Sequence, residues 1–428
     1  MFARIRNPIT CALAVLLLNG WTALAQQDRA AESRLLLGEL IEEALAQNPE
    51  IKAMERSFDR VQARIPQAKA LPDPMFEAGY MGNAVPFPPF DIQKGDPSSG
   101  RMLSLSQEIP FPGKRSLKGR MAEAEAQAEW WDYEQTRLNV IAEVKDAYFE
   151  LAYITKAIET LDKNRASLEK FAKIAEARYA VGKGIQQDVL KAQVEISKLT
   201  DRLTVLAQRK QTAEARINSL LYRAPDYPVG RPEDLKPQSF EVTVGELNEL
   251  ALANYPLLKA QKRRIDREQY RVELAEKELY PDFTFKLSYQ NRPGMPDMYG
   301  FSVGVSIPML ASQKQRPAIA EAAASKASEE KRLQSTMTLL LYRVKEKHLA
   351  VTTAERLISL YGTTIIPQSS LSLESAIAGY EVGKVDFLTL LDNLVTLLDY
   401  QLSYYEQLSN AERAIAQLEP LVGVSLRR

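Results

Sequence analysis

Three Gly-Lys pairs, Gly113-Lys114, Gly182-Lys183 and Gly383-Lys384, are the residues that first suggest chemistry, because a glycine turn followed by lysine can cradle a phosphate. None has the further glycine five residues before the one that precedes the lysine, and none follows a buried-strand pattern, so no nucleotide site is expected. His348 and Cys11 are the sole members of their types. They supply neither a His-rich metal site nor a histidine-based triad. Carboxylates such as Glu123, Glu143 and Asp146 lie in mixed-charge helical patterns, where solvation is their expected role. Met295 and Met298, read as loop residues, are too few for a metal path. With no nucleophile, base and orienting group to nominate, the chain is expected to be no enzyme and to need no cofactor and no resident metal.

The elements that carry these residues begin after an export signal. Arg4 and Arg6 precede an apolar run from Ile9 to Leu18, and Ala23-Leu24-Ala25 forms a small-residue cleavage site, so residues 1–25 are expected to be removed. Cys11 goes with them, and a cysteine-free mature chain fits an oxidising compartment. Lys plus Arg number 55 and Asp plus Glu number 55. Losing two arginines leaves the mature chain about neutral, with no basic field for nucleic acid. No run of 18 apolar residues follows. A membrane could therefore be met only by a β-barrel or at its surface.

The mature sequence reads as two copies of one plan. LGELIEEALAQNPEIKA (37–53) returns as VGELNELALANYPLLKA (244–260), Leu71-Pro72-Asp73 as Tyr280-Pro281-Asp282, Ile109-Pro110 as Ile307-Pro308, and the Tyr179 to Lys183 turn as Tyr380 to Lys384. Such order over so long a span points to duplication rather than a short solenoid repeat. The copies are 26–222 and 243–428, and the Pro- and charge-rich stretch from 223 that joins them has no usable periodicity.

Each copy reads as helix, strand, loop, strand, then a helical hairpin. Val144, Ala147, Leu151, Ile154, Ile158 and Leu161, then Leu168, Ala172, Ala175 and Tyr179, recur at spacings of three and four, and Val189, Ala192, Ile196, Leu199, Leu203, Leu206, Ala213, Ile217 and Leu220 keep the seven-residue beat after the turn. This predicts coiled-coil packing along a helix from Lys114 to Tyr179, roughly 100 Å long. The strands are expected near 75–81, 101–109, 283–290 and 299–307. Their apolar sets, Phe76 and Tyr80, Leu103 and Leu105, Phe283, Phe285, Leu287 and Tyr289, and Phe301, Val303 and Val305, alternate with Ser, Thr, Gly, Lys and Gln. Strands of about nine residues match a tilted bilayer crossing, and Tyr80, Tyr289 and Tyr299 lie near strand ends, where a headgroup belt would hold them. Four strands cannot close a barrel in lipid, so copies must be shared; two chains give 8 strands and three give 12, and counting alone does not choose. A secreted coiled-coil scaffold that buries the same face in a small sheet is the competing reading. The breaker-rich connections 83–100 and 291–298 suit outward-facing loops.

The duplication, the Leu71-Pro72-Asp73-Pro74 corner, the run from Gln107 through Ile109-Pro110-Phe111-Pro112-Gly113-Lys114 to Arg115, and the two Tyr-x-Val-Gly-Lys turns together resemble the TolC family of outer-membrane efflux proteins. The resemblance implies a mainly α fold with a small β part: long antiparallel coiled-coil helices forming a periplasmic tunnel, four strands per chain in a homotrimeric, 12-stranded transmembrane barrel, and residues 223–242 in an equatorial belt. It implies a passive exit duct set in outer-membrane lipid, energised by an inner-membrane pump and joined to it by a periplasmic membrane-fusion adaptor. A duct for type I protein secretion is the alternative within the family. The turns Tyr179, Val181, Gly182, Lys183 and Tyr380, Val382, Gly383, Lys384 match the periplasmic tip where adaptors dock, and they also fit ordinary helix C-caps. Asp188 and Asp392 match acidic residues at the pore constriction, where three copies would ring the axis; solvated helix faces are the plainer reading. Val385 stands where the family's gate has an arginine partner, so the latch does not carry over. The Pro-Phe-Pro-Gly-Lys-Arg stretch is similar to that of members that export heavy metals.

Overall fold

The structure, a computed structural model, describes residues 34–81, 99–292 and 294–427; the signal at 1–25 and nearly all of the 83–100 connection lie outside them. Two compact units are formed. One comprises Met1–Lys52, described from Arg34, with Gln135–Tyr255 and Leu339–Arg428; the other comprises Ala53–Glu134 and Pro256–Thr338.

In chain order the elements are β1 (Arg34–Leu35), α1 (Leu37–Gln47), α2 (Pro49–Gln62), α3 (Arg64–Lys69), β2 (Met75–Met81), β3 (Gly100–Ile109), α4 (Lys114–Ala180) and α5 (Gln186–Leu220). Then follow β4 (Arg231–Pro232), α6 (Val244–Asn254), α7 (Pro256–Lys277), β5 (Asp282–Asn291), β6 (Met298–Ser306), α8 (Gln315–Leu360), a π-helical turn (Tyr361–Ile365), α9 (Ile366–Glu381) and α10 (Phe387–Val422). The fold is mostly helical with few strands. Pro72, Pro110, Pro281 and Pro308 each stand between a helix and a strand, where a residue without a backbone donor ends one ladder before the other begins. Within the joining stretch, β4 pairs in parallel with β1.

α4 runs unbroken for 67 residues. Val144, Ala147, Leu151, Ile154, Leu161, Leu168, Ala172 and Ala175 are buried along its inner stripe, as the heptad spacing predicts. Ile158 is only half-buried, beside the fully buried Ala157, and Tyr179 at the turn is exposed. In α5 the buried positions are Ala192, Leu199, Leu206, Ala213, Ile217 and Asn218, while Val189, Ile196, Leu203 and Leu220 of the expected seam are half-buried. The π-helical turn is not legible in the residue pattern. There Gly362 leaves room for the Tyr404 ring, whose Cε2 would lie 3.2 Å from an added Cβ, and Tyr361 pairs with Tyr400 at 5.9 Å between centroids.

Asp146, assigned to solvent from its sequence context, is instead buried. It accepts hydrogen bonds from Arg413 Nε (2.8 Å) and Gln417 Nε2 (3.1 Å) of α10 and from Arg216 Nη1 (3.0 Å) of α5. Burial opposes its charge, but the hydrogen bonds and charges of Arg413 and Arg216 outweigh that and hold its pKa below the ordinary aspartate value. Asp146→Ala should therefore strip a partner from the half-buried Arg413 and the exposed Arg216 and destabilise the helical unit by about 1 to 2 kcal/mol, read as a lowered thermal midpoint. The folded-state pKa is depressed, so this stabilisation is complete above the unfolded value and is lost as pH falls through the folded one. An acid titration of Asp146→Asn should lack that component.

Candidate pore-lining sheet and hairpin tips

The four longer strands form one antiparallel sheet in the order β2-β3-β5-β6, two from each half of the chain. Register settles which residues share a face. Phe76 pairs with Leu105, Leu105 with Leu287, and Leu287 with Phe301, a continuous apolar row. Leu103, Tyr289 and Tyr299 form the next, and Phe285 with Val303 and Phe283 with Val305 lie on the same side. The Tyr289 and Tyr299 rings are 5.3 Å apart and those of Phe285 and Phe301 6.5 Å. Most of this face is left uncovered by the described protein: Phe76 and Phe301 are each 66% exposed, and Leu103, Leu105, Phe285, Leu287, Val303 and Val305 are exposed too. Tyr80, Phe283 and Tyr289 are half-buried.

The opposite face is polar. Lys286 Nζ donates to Glu77 Oε2 at 2.7 Å, and Ser104 Oγ donates to the same oxygen at 2.9 Å. Ser104 and Ser106 are buried, as small residues on the inner side of a curled sheet would be. The outer edges of β2 and β6 have no strand partner among the described residues. Met298 was read from sequence as a loop residue; it opens β6 and shares the polar face, because the Gln290 to Met298 pairing extends the strand by one residue.

Where β3 turns into α4, the Gly-Lys pair has a structural role that its sequence does not announce. Lys114 is buried, with its Nζ donating to Asp282 Oδ2 (2.8 Å) and Oδ1 (2.9 Å), Glu278 Oε2 (3.2 Å) and the Tyr280 carbonyl (3.2 Å). Burial alone would lower its pKa, but the hydrogen bonds and charges of Asp282 and Glu278 leave it above the ordinary lysine value. The Phe111 N–H donates to Asp282 Oδ1 at 2.7 Å, and the Phe111 ring stacks on Tyr280 at 4.6 Å. One carboxylate thus ties β5 to the turn that starts α4.

In the helical unit, both tip turns are Schellman caps. Gly182 and Gly383 each have φ +75°. Lys183 N–H donates to the Arg178 carbonyl (2.8 Å) and Gly182 N–H to that of Tyr179 (2.9 Å); Lys384 donates to Gly379 (2.8 Å) and Gly383 to Tyr380 (3.1 Å). Val181 and Val382 are each 69% exposed. The two turns are not equivalent, however. Tyr380, grouped by sequence with the docking residues, is buried beneath the Arg178 guanidinium at 4.3 Å and beside Phe387 at 5.8 Å. It supports its turn rather than offering a surface. Tyr179 is exposed because Gln186 stands where the second copy has Phe387.

A third aspartate acts beside the two acidic residues named from the sequence. Asp188, in the first turn of α5, has its pKa raised by burial and by the charge of Asp386. Asp386 caps α10 by accepting from the Thr389 N–H at 2.7 Å, a bond that lowers its own pKa. The carboxylate that acts on Asp188 is therefore Asp386, which the sequence did not single out; Asp392 is exposed on α10. An N-cap aspartate three residues before a threonine was the available signal. Among the described residues no group of three or more His, Cys, Asp or Glu could hold a metal, and no helix is long and apolar enough to cross a membrane.

Long helices carrying a small antiparallel sheet make up the fold of the outer-membrane channels. Solved structures of similar fold include the outer-membrane channel OprN (TM-score 0.78, 19% identity, 91% of this chain and 90% of that one) and VceC of Vibrio cholerae (0.77, 19%, 91% and 97%). The chain belongs to the outer membrane efflux protein family, whose model matches residues 40–221 and 247–424. Among curated relatives, the cobalt-zinc-cadmium resistance protein CzcC of Cupriavidus metallidurans is 24% identical over 427 residues, covering 96% of this chain and 98% of that protein. The protein is accordingly an outer-membrane efflux protein.

Proposed function

We propose that three copies of this chain close a 12-stranded barrel in the outer membrane, and that the assembly is the passive exit duct of a tripartite efflux pump, fed by an inner-membrane transporter through a periplasmic adaptor. The observation that carries this reading is the two-faced sheet. Its apolar face is exposed and its edges are open, so lipid and sister copies are what would satisfy it. A soluble scaffold would pack the Phe285 and Phe301 rows against protein, and none of the described residues covers them. The copies 26–222 and 243–428 arose by duplication, the stretch 223–242 forms the equatorial belt, and each copy lends two staves and one helical hairpin. No step of chemistry is assigned to the chain; it conducts rather than catalyses.

The exposed parts of the two turns, Tyr179, Val181, Gly182 and Lys183 with Val382, Gly383 and Lys384, are the adaptor-docking tips. Asp188 with Asp386 narrows the pore near them, and Asp392 adds charge on α10. CzcC's heavy-metal resistance makes divalent transition metals the first substrate class to test, with drugs second, since the toxin and drug export protein A of Aggregatibacter actinomycetemcomitans is 25% identical over 288 residues, 64% of this chain.

A deletion strain should become sensitive to one of these classes and recover with the intact gene. At the tips, no neighbour lies within 4 Å of a Cβ added to Gly182 or Gly383, so the penalty of substitution is the left-handed backbone alone, about 1 to 2 kcal/mol per site. Gly182→Val with Gly383→Val should leave trimers intact while abolishing export and adaptor cross-linking. Unchanged export would refute the assignment of the tips.

A further inference from the structure

At the end of the sheet where strands join helices, a cavity of about 540 Å³ opens between the first turns of α4 and the last turns of α7. Arg120 on its wall lies over the Tyr270 ring at 4.6 Å and donates to Glu273 Oε2 at 3.3 Å, so this cation is matched within the wall itself. Lys277 is not matched. It is half-buried, its Cε lies 3.8 Å from where a Gly113 Cβ would stand, and its ammonium lies 5.7 Å from the Phe111 ring centre and 5.2 Å from that of Tyr280. Among the described residues it makes no ion pair and no side-chain hydrogen bond. Glu276, on the same wall, is exposed and likewise has no cation among the described residues. The cavity thus offers one positive and one negative group side by side, a pattern complementary to a zwitterion rather than to a simple anion.

The place of the cavity says which zwitterion. Phe111 stands two residues beyond Ile109, the last apolar-face residue of β3; Ile109 is paired with Phe283, and Phe283 with Val305. The Phe111 and Tyr280 stack therefore follows directly on the apolar face, at the level where aromatic rings meet lipid headgroups. Leu279 and Tyr280, which line the cavity, are 40% and 48% exposed, so apolar surface continues to its wall. We propose that this corner binds the headgroup of a zwitterionic aminophospholipid of the periplasmic leaflet. The Lys277 ammonium and the Ser116 hydroxyl take the phosphate, the Glu276 carboxylate takes the lipid ammonium, and the acyl chains lie along Ile109, Phe283 and Val305. An anionic lipid would also meet Lys277 but would set its charge beside Glu276 with nothing to offer that carboxylate. The site deepens the duct reading and rests on it, because only a sheet embedded in a bilayer brings this corner to the headgroups.

Native mass spectrometry of the full-length oligomer, titrated in detergent with defined lipids, provides the test, since one spectrum reports both assembly and bound lipid. Wild type is expected to retain phosphatidylethanolamine at lower lipid concentration than phosphatidylglycerol. For Lys277→Gln, roughly tenfold or more of either lipid should be needed for the same occupancy. Glu276→Gln should lose affinity for phosphatidylethanolamine alone and reverse the preference, a split that general loss of structure would not produce. Inorganic phosphate should displace neither lipid; displacement would mark a free-anion site and overturn the lipid assignment. Equal retention of the two lipids by wild type, or unchanged phosphatidylethanolamine retention in both variants, overturns the site and leaves the duct standing. A chain never recovered from outer membranes overturns both.

Discussion

Val303→Arg should keep the protein out of the outer membrane. Val303 is paired with Phe285 near the middle of β6, on the exposed apolar face, with Met298 to Ser302 of the strand before it and Gly304 to Ser306 after it. An arginine placed on a lipid face near the midplane costs about 2 to 4 kcal/mol. Each assembled particle would carry three such charges in the proposed trimer, so the penalty is repeated with every copy. The measurement is the fraction of chain recovered from outer membranes as heat-resistant oligomer, expected to fall severely. Thr284→Arg, on the polar face beside Glu108 and Gly304, should assemble almost normally. Equal assembly of the two variants would mean that the faces have been assigned wrongly.

Lys114→Met should have the next largest effect. The ammonium is buried and meets both oxygens of Asp282, while Asp282 also accepts from the Phe111 N–H. Methionine fills similar volume but leaves that carboxylate without its cation and the Tyr280 carbonyl without this donor. Because Glu278 is 44% exposed and water can reach that part of the cluster, the loss is set at about 2 to 3 kcal/mol rather than the full cost of an isolated buried charge. It should appear as faster hydrogen exchange in residues 109–118 and around Asp282, with the helical hairpin tips unaffected. Unaltered exchange at that corner would show that the ion pair contributes nothing.

These two residues also mark what a sequence can and cannot disclose. Val303 was legible because alternation with a period of two exposes a face without any knowledge of neighbours. The strands near 283–290 and 299–307 are found at Asp282–Asn291 and Met298–Ser306 for the same reason. The helix from Lys114 was legible because a seven-residue beat is a property of one chain segment; it runs to Ala180. Lys114 itself was not, since its burial depends on Asp282, 168 residues away. Asp146 was assigned to solvent because its arginines come from two other helices. The paired turns looked alike in sequence, and only the contrast between Phe387 and Gln186 explains why Tyr380 is buried and Tyr179 exposed. Cross-strand register, which lines Phe76, Leu105, Leu287 and Phe301 up in one row, depends on pairing that no single strand encodes. The π-helical turn at Tyr361–Ile365 depends likewise on the Tyr404 ring from α10.

The most direct measurement is the mass of the particle extracted by mild detergent from isolated outer membranes, with the detergent contribution subtracted. Three chains per particle, pelleting with the membrane before extraction, is the expected result. A single chain recovered in the water-soluble periplasmic fraction would contradict it, because the open edges of β2 and β6 and the exposed apolar face would then need neither sister copies nor lipid.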